Sequence, residues 1–175
     1  MKWITISQTI AFVAGSVIIP FYIVVLQEAS NSYSLFAYIY ATFTISATIA
    51  HSFSGFLLNK VSCRSVLVTS NLLSAVALFL IPSSSDPWHF IIIQIILGTS
   101  ISLQKSAEKV AVAKETENKN RSTLIGNYHA FGSIVTGISF LLLGWFLNTF
   151  SLVFLFYLIS FWFFVASIIS IKIKV

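Results

Sequence analysis

Six long apolar blocks divide this chain, and its ten Lys and Arg residues all fall on one side of a six-span membrane plot. The blocks run over 3–26, 35–58, 65–82, 88–113, 123–147 and 149–171. A hydrocarbon core about 30 Å thick takes about 20 helical residues at about 1.5 Å each, so each block is long enough to cross a bilayer or nearly so. With 57% hydrophobic residues in a chain of 175, a soluble domain has nowhere to hide the apolar surface. Strict polar–apolar alternation, the mark of a membrane barrel, is absent. Helices are the other way to satisfy backbone polar groups in lipid. The fold class expected is an all-α membrane protein with six transmembrane helices forming one domain over residues 1–175.

The charges orient it. Lys2 precedes the first block, and Lys60 and Arg64 separate the second from the third. Lys105, Lys109, Lys114, Lys119 and Arg121 cluster at and after the end of the fourth, and Lys172 and Lys174 follow the sixth. The other junctions hold only Glu28 and Asp86. Cationic loops stay on the cytoplasmic side, which predicts an integral multi-pass protein of the plasma (inner) membrane with both termini cytoplasmic. The net charge of +5 reads as topology and not as nucleic-acid binding, because the cations are spread over several pieces.

Connections are short. Residues 27–34 and 82–87 form the external loops, the second punctuated by Pro82 and Pro87, and Asn148 marks a tight third turn. Trp3, Trp88 and Trp145 sit at block ends, as interfacial aromatics do. Pro20 predicts a kink inside the first helix. That helix is too long for a signal-peptide core and is read as retained. The single cysteine, Cys63, excludes an intrachain disulfide and is expected in a cytoplasmic loop.

Between the second and third blocks stands Gly55-Phe-Leu57-Leu-Asn59-Lys60-Val-Ser62-Cys-Arg64. This resembles the cytoplasmic signature of the major facilitator superfamily, Gly-x-Leu-x-Asp-Arg-x-Gly-Arg-Arg/Lys. Asn59 stands where that family has Asp, and Ser62 where it has its second Gly. Gly55 is expected to let two helices approach closely, and Lys60 and Arg64 to anchor the loop in the cytoplasm. A second stretch, Gly98 through Ala113 and Thr116 to Arg121, Gly126 and Tyr128, is similar to the family's helix four, cytoplasmic loop and helix five. Gly144-Trp145 resembles the family's Gly-Trp ending, whereas the Pro-containing antiporter signature of helix five is missing.

The resemblance covers the whole chain but matches one six-helix half of a twelve-helix member. It implies 3+3 inverted repeats with N-in/C-in topology, the two halves of a full member being parallel repeats. It also implies a secondary transporter half that moves a small solute by alternating access, as a homodimer or as a heterodimer with another six-helix half. The alternative is a non-transporting membrane subunit or truncated remnant that packs with a partner chain. A channel ranks below both, since no filter motif is visible.

Helices one and four line the central cavity in this family, so the candidate solute or proton pathway residues are Gln8, Gln94, Ser102, Lys105, Glu108 and Lys109. In the fourth block Gln94, Gly98, Ser102, Lys105, Glu108 and Lys109 step by threes and fours, which predicts one polar face. Lys105 lies ~12 Å before Ala113 along a helix, inside the cytoplasmic half of the membrane. Two readings stay open there. The lysines snorkel to the interface with Glu108 pairing locally, or they line the cavity, where paired lysines suit an anionic or polar solute. Gln8, with Ser16 two turns on, is either a cavity residue or an interhelical hydrogen bond.

Enzymatic chemistry is not expected. His51 and Ser54 lack a nucleophile elbow, the three histidines lack metal-ligand spacing, and no phosphate-binding glycine loop appears. No cofactor, metal or nucleic-acid partner is expected; the partners are the bilayer, a small solute and a second six-helix half.

Overall fold

The computed structural model describes residues 1–29, 32–84, 86–117 and 120–174, without the side chains of 19, 20 and 23–29 and of 144. The expectations for Pro20, Glu28, Lys119 and Gly144 fall outside what is described. Six helices follow one another: α1 Lys2–Ala29, α2 Tyr33–Lys60, α3 Cys63–Leu80, α4 Pro87–Glu115, α5 Arg121–Leu147 and α6 Leu152–Ser170, with a short 3₁₀ turn at Ile81–Ser83. Serine hydroxyls cap three starts. Ser32, Ser62 and Ser151 accept from the amides of Leu35, Ser65 and Phe154, each satisfying an orphan donor. Pro87 opens α4 at a position that needs no amide proton. The turn expected at Asn148 is longer than one residue, since α6 begins only at Leu152. By length and composition, α2, α3 with its 3₁₀ extension, α4, α5 and α6 can each cross a membrane. In α1 the stretch Lys2–Ile18 is apolar but shorter.

The helices pack in the order α2, α4, α3, α6, α1, α5, with smaller further contacts of α1 with α4 and with α2. The order reads the same from either end when α1 is exchanged with α4, α2 with α5, and α3 with α6. The two ends of that order are unequal. The α2–α4 seam is the most extensive in the bundle, and α5 meets chiefly α1. Between α5 and the α1–α6 pair lies an apolar groove of about 490 Å³, walled by Val13, Leu142, Trp145 and Trp162 among others.

Gly98 makes the α2–α4 seam close. A Cβ placed there meets the Phe43 carbonyl oxygen at 2.5 Å and the Ala47 amide nitrogen at 3.1 Å, and also overlaps the Ser46 hydroxyl. Backbone meets backbone, the arrangement that small residues permit in lipid. Gly55 does not play the part expected of it: it is exposed, and nothing lies within 4 Å of a Cβ built on it. The close approach belongs to Gly98 because α2 leans on α4 through its middle, leaving the Gly55 face turned outward.

Serines then fasten helix to helix. Ser74 and Ser100 hydroxyls meet at 2.8 Å across α3 and α4. Ser160 and Ser167 on α6 donate to the α3 carbonyls of Ala75 and Val68 at 2.7 and 2.9 Å. In membranes such bonds contribute about 0.6 kcal/mol each on average.

One buried cluster gathers Ile4 of α1, Cys63 and Leu67 of α3, Ala111 of α4, Tyr128 of α5 and Ile173 beyond α6. The start of the chain, the α2–α3 junction, the α4–α5 junction and the residues after α6 therefore share one end of the bundle. All four carry the cations. Trp3 lies between Lys2 and Lys172, its ring 5.9 and 4.7 Å from their ammonium groups. Cys63 is not in a loop. It is the first residue of α3 and only 1% exposed, because the Ser62 cap starts the helix one residue before it.

Gly98→Ala is expected to lose about 1–3 kcal/mol by overpacking, whereas Gly55→Ala gains about 0.5–1 kcal/mol from helix propensity. Thermal unfolding of the two variants in detergent, followed by circular dichroism, checks the opposite signs. Cys63 is expected to resist a maleimide in the folded protein and to react once unfolded, as mass spectrometry would show.

Candidate solute cavity

A cavity of about 430 Å³ opens between α1, α2 and α4, backed by Phe163 of α6. Helical periodicity builds its walls. Gln94, Leu97, Ile101, Gln104 and Glu108 of α4 line it at steps of three and four, with Lys105 next to Gln104. Toward the Gln94 end of that wall, Phe36, Tyr40 and Phe43 of α2 form a ladder with ring centroids 6.2 and 6.1 Å apart. From α1 come Phe12, Ser16 and Tyr22. The buried Tyr22 side chain stands beside Gln94 of α4 and edge-on to Phe90.

The polar face expected on α4 is two faces. Gly98 and Ser102 turn from the cavity to α2, as does Ser106. His51 Nδ1 lies 3.4 Å from the Ser102 hydroxyl and 3.1 Å from that of Ser106. Ser54 gives its proton to the His51 carbonyl at 2.7 Å, away from the ring. Gln94, Lys105 and Glu108 are the predicted residues that line the cavity. Lys109 is exposed and outside the lining, so the pair of lysines is not a pair at this wall.

Gln8 is 1% exposed and also outside the lining. Its carbonyl oxygen accepts from Gln104 at 3.1 Å, and its amide donates to Ser7 at 3.1 Å. Ser7 and Ser170 hydroxyls meet at 2.6 Å, and Asn71 donates to Ser170 at 3.3 Å. A buried polar chain thus runs from the cavity wall on α4 through α1 and α6 to α3. It fixes Gln104, which sequence reasoning passed over. The signal was present: stepping from Gln94 by three, four and three reaches Leu97, Ile101 and Gln104 before Glu108. The aromatic wall was missed because α2 rings look like lipid contacts until their neighbours are known.

Glu108 accepts a hydrogen bond from the Tyr128 hydroxyl of α5. Among the described residues this is the one side-chain hydrogen bond joining α5 to another helix. Neither Lys105 nor Lys109 lies within ion-pair distance of Glu108; the ion pairs among the described residues are the Met1 ammonium with Glu115 and His89 with Asp86. Local pairing of Glu108 with lysine is thus replaced by a neutral hydroxyl. The loop-signature residues Gly55, Asn59, Lys60, Arg64 and Arg121 are exposed and lie away from the cavity. Lys60 sits 4.3 Å above the Phe56 ring, one turn back on its own helix.

The sequence model of the Major Facilitator Superfamily matches residues 4–174 of this chain. A Bacillus subtilis (strain 168) protein, described as the uncharacterized MFS-type transporter YitZ, is 29% identical over 161 residues. That match covers 92% of this chain and 98% of the relative, so the two are of similar length. No solved structure matches the chain.

The Gln8–Gln104 bond is expected to show a coupling of about 0.6 kcal/mol, and at most about 1.7 kcal/mol, in a double-mutant cycle with Gln8→Ala and Gln104→Ala. Unfolding free energies of the four proteins in detergent give the value, and additive losses would remove the bond from the account.

Proposed function

This chain belongs to the Major Facilitator Superfamily, and from that premise we propose that it is a secondary transporter unit moving a small solute by alternating access. The observation that carries the reading is the cavity itself. Two ionisable side chains, Lys105 and Glu108, stand on the wall of a space within an apolar helix bundle. Intramembrane charges are costly and persist where they serve a solute or ion path. The order of helix packing supports 3+3 inverted repeats, because exchanging the two triplets leaves that order unchanged. The cation-bearing junctions meet at one end of the bundle, which supports both termini facing the cytoplasm.

The cavity has one half of its walls in this unit, and a second unit supplies the rest. Two outer faces support this. On α2, Ala37, Ala41, Thr44, Thr48, Ser52 and Gly55 are exposed at steps of three and four. On α5, Gly126, Ala130, Ser133 and Gly137 do the same, and a Cβ on either glycine meets nothing within 4 Å. Small and hydroxylated residues are what close helix pairs use in lipid. The two faces flank opposite ends of the packing order, so a two-fold axis along the membrane normal brings α2 of one unit to α5 of its partner.

Reconstituted into proteoliposomes, the protein is expected to take up a solute from a panel of amino acids, sugars, organic acids and amines. Lys105→Ala and Glu108→Gln are each expected to cut that uptake at least about tenfold, the loss of one charge-assisted contact. Uptake of nothing by an intact dimer would favour the non-transporting subunit. Cysteines at Thr48 and Gly137, on separate copies in the native membrane, are expected to crosslink; monomers alone would sink the two-fold arrangement.

A further inference from the structure

We propose that the seam between α1 and α6 seats one anionic phospholipid, its phosphate at Lys2 and Lys172 and an acyl chain running down the seam into the groove beside α5. Two pieces of chain far apart in sequence build the head end. The Trp3 ring lies 5.9 Å from the Lys2 ammonium and 4.7 Å from that of Lys172. Lys172 is held in place. Its amide donates to the Ile169 carbonyl at 3.0 Å, and its neighbour Ile173 is 1% exposed in the cluster that also buries Ile4. Both lysines are themselves exposed. Among the described residues neither has an acidic partner: Glu115 is taken by the Met1 ammonium, and the other ion pair lies at the start of α4. Two cations fixed at one ring repel each other until an anion joins them. Trp3 adds an indole N–H donor beside them, at the depth where interfacial aromatics sit.

What lies below the lysines makes that anion a headgroup. From Trp3, steps of three, four and three along α1 reach Ile6, Ile10 and Val13, all partly exposed. From Lys172 the same steps back along α6 reach Ile169, Val165 and Trp162, partly exposed or exposed. Ser7 of α1 meets the Ser170 hydroxyl at 2.6 Å and donates to the Ala166 carbonyl at 3.0 Å, which sets the two rows level with each other. Ile10, Val13 and Trp162 are walls of the groove of about 490 Å³. From Trp3 to Val13 is about 15 Å along a helix, half of a hydrocarbon core about 30 Å thick. An acyl chain whose head stands at Trp3 therefore ends in the groove, and it supplies contacts that the groove walls otherwise lack. Groove and cavity share no residue, so the lipid and the solute occupy different faces of α1. A soluble anion gains nothing from the seam. A zwitterionic lipid gains the seam but brings its own cation to the two lysines.

Native mass spectrometry of the detergent-purified protein, with equimolar dioleoyl phosphatidylglycerol and dioleoyl phosphatidylcholine, tests this. The wild-type protein is expected to retain phosphatidylglycerol with a preference of about twentyfold, about fivefold for each lysine. Lys2→Gln and Lys172→Gln are each expected to cut that preference about fivefold. Lys60→Gln removes a cation from the same end of the bundle, one that stands over Phe56 and off the seam, and is expected to leave the preference unchanged. Dihexanoyl phosphatidylglycerol has the same headgroup on chains too short to reach the groove, and is expected to bind at least about tenfold more weakly, because each buried methylene contributes. Equal retention of the two dioleoyl lipids by the wild-type protein overturns the proposal, with no variant needed. So does a loss in Lys60→Gln as large as that in Lys172→Gln, which leaves only diffuse attraction to a basic surface. Short chains that bind as tightly as long ones remove the seam and return the site to a free anion. Transport plays no part in these readings: phosphatidylglycerol held by a protein that takes up no solute keeps the lipid seat and sinks only the transporter.

Discussion

The contact at Gly98 organises this bundle. Lipid offers helices no hydrophobic reward for meeting, so association rests on packing and on polar groups that find each other. Where α4 lacks a side chain, α2 settles against its backbone. That places His51 beside Ser102 and Ser106 and commits one face of α4 to its neighbour. The face a third of a turn away is left as a wall. Gln94, Gln104, Lys105 and Glu108 share that wall because Gly98 has taken the other side.

A second layer holds the wall in place. Buried polar side chains are costly in a low-dielectric interior unless each is answered. The run from Gln104 through Gln8, Ser7 and Ser170 to Asn71 answers most of its members across four helices. A rotation of α1 about its own axis breaks its bonds to α4 and to α6 at once. The network thus selects one helix register where apolar side chains alone allow many. Polar groups here act more as an address than as adhesive, since each bond contributes little by itself.

Much of the architecture was legible in the sequence, for reasons that can be named. The length and hydropathy of the blocks mark helices because lipid leaves the backbone few alternatives. The signature residues around Gly55 and Arg121 led to the family. Lys105 and Glu108 were legible as exceptions, charges inside apolar blocks. The rest depended on facts that periodicity does not carry. A stripe of steps of three and four spans more than one face of a long helix, so Ser102 and Gln94 were read together although they point to different neighbours. Gly55 and Gly98 are alike in sequence; only the presence of α2 against one of them tells them apart. The Tyr128–Glu108 bond joins residues on separate helices, and the α2 ring ladder becomes a cavity wall only once α4 faces it.

The two ends of the packing order differ in stiffness, and this has a mechanical meaning. At one end α2 is seated on α4 backbone to backbone at Gly98. At the other, α5 rests on α1 beside a groove of about 490 Å³ and, among the described residues, is tied to α4 by the Tyr128 hydroxyl alone. Local motion concentrates where buried contacts are fewest. Any deformation of this unit is therefore borne unequally, with α2 and α4 as its frame and α5 as its compliant limb. Glu108, standing on the frame and gripping the limb, is where a load on the cavity and a displacement of α5 are felt by the same carboxylate.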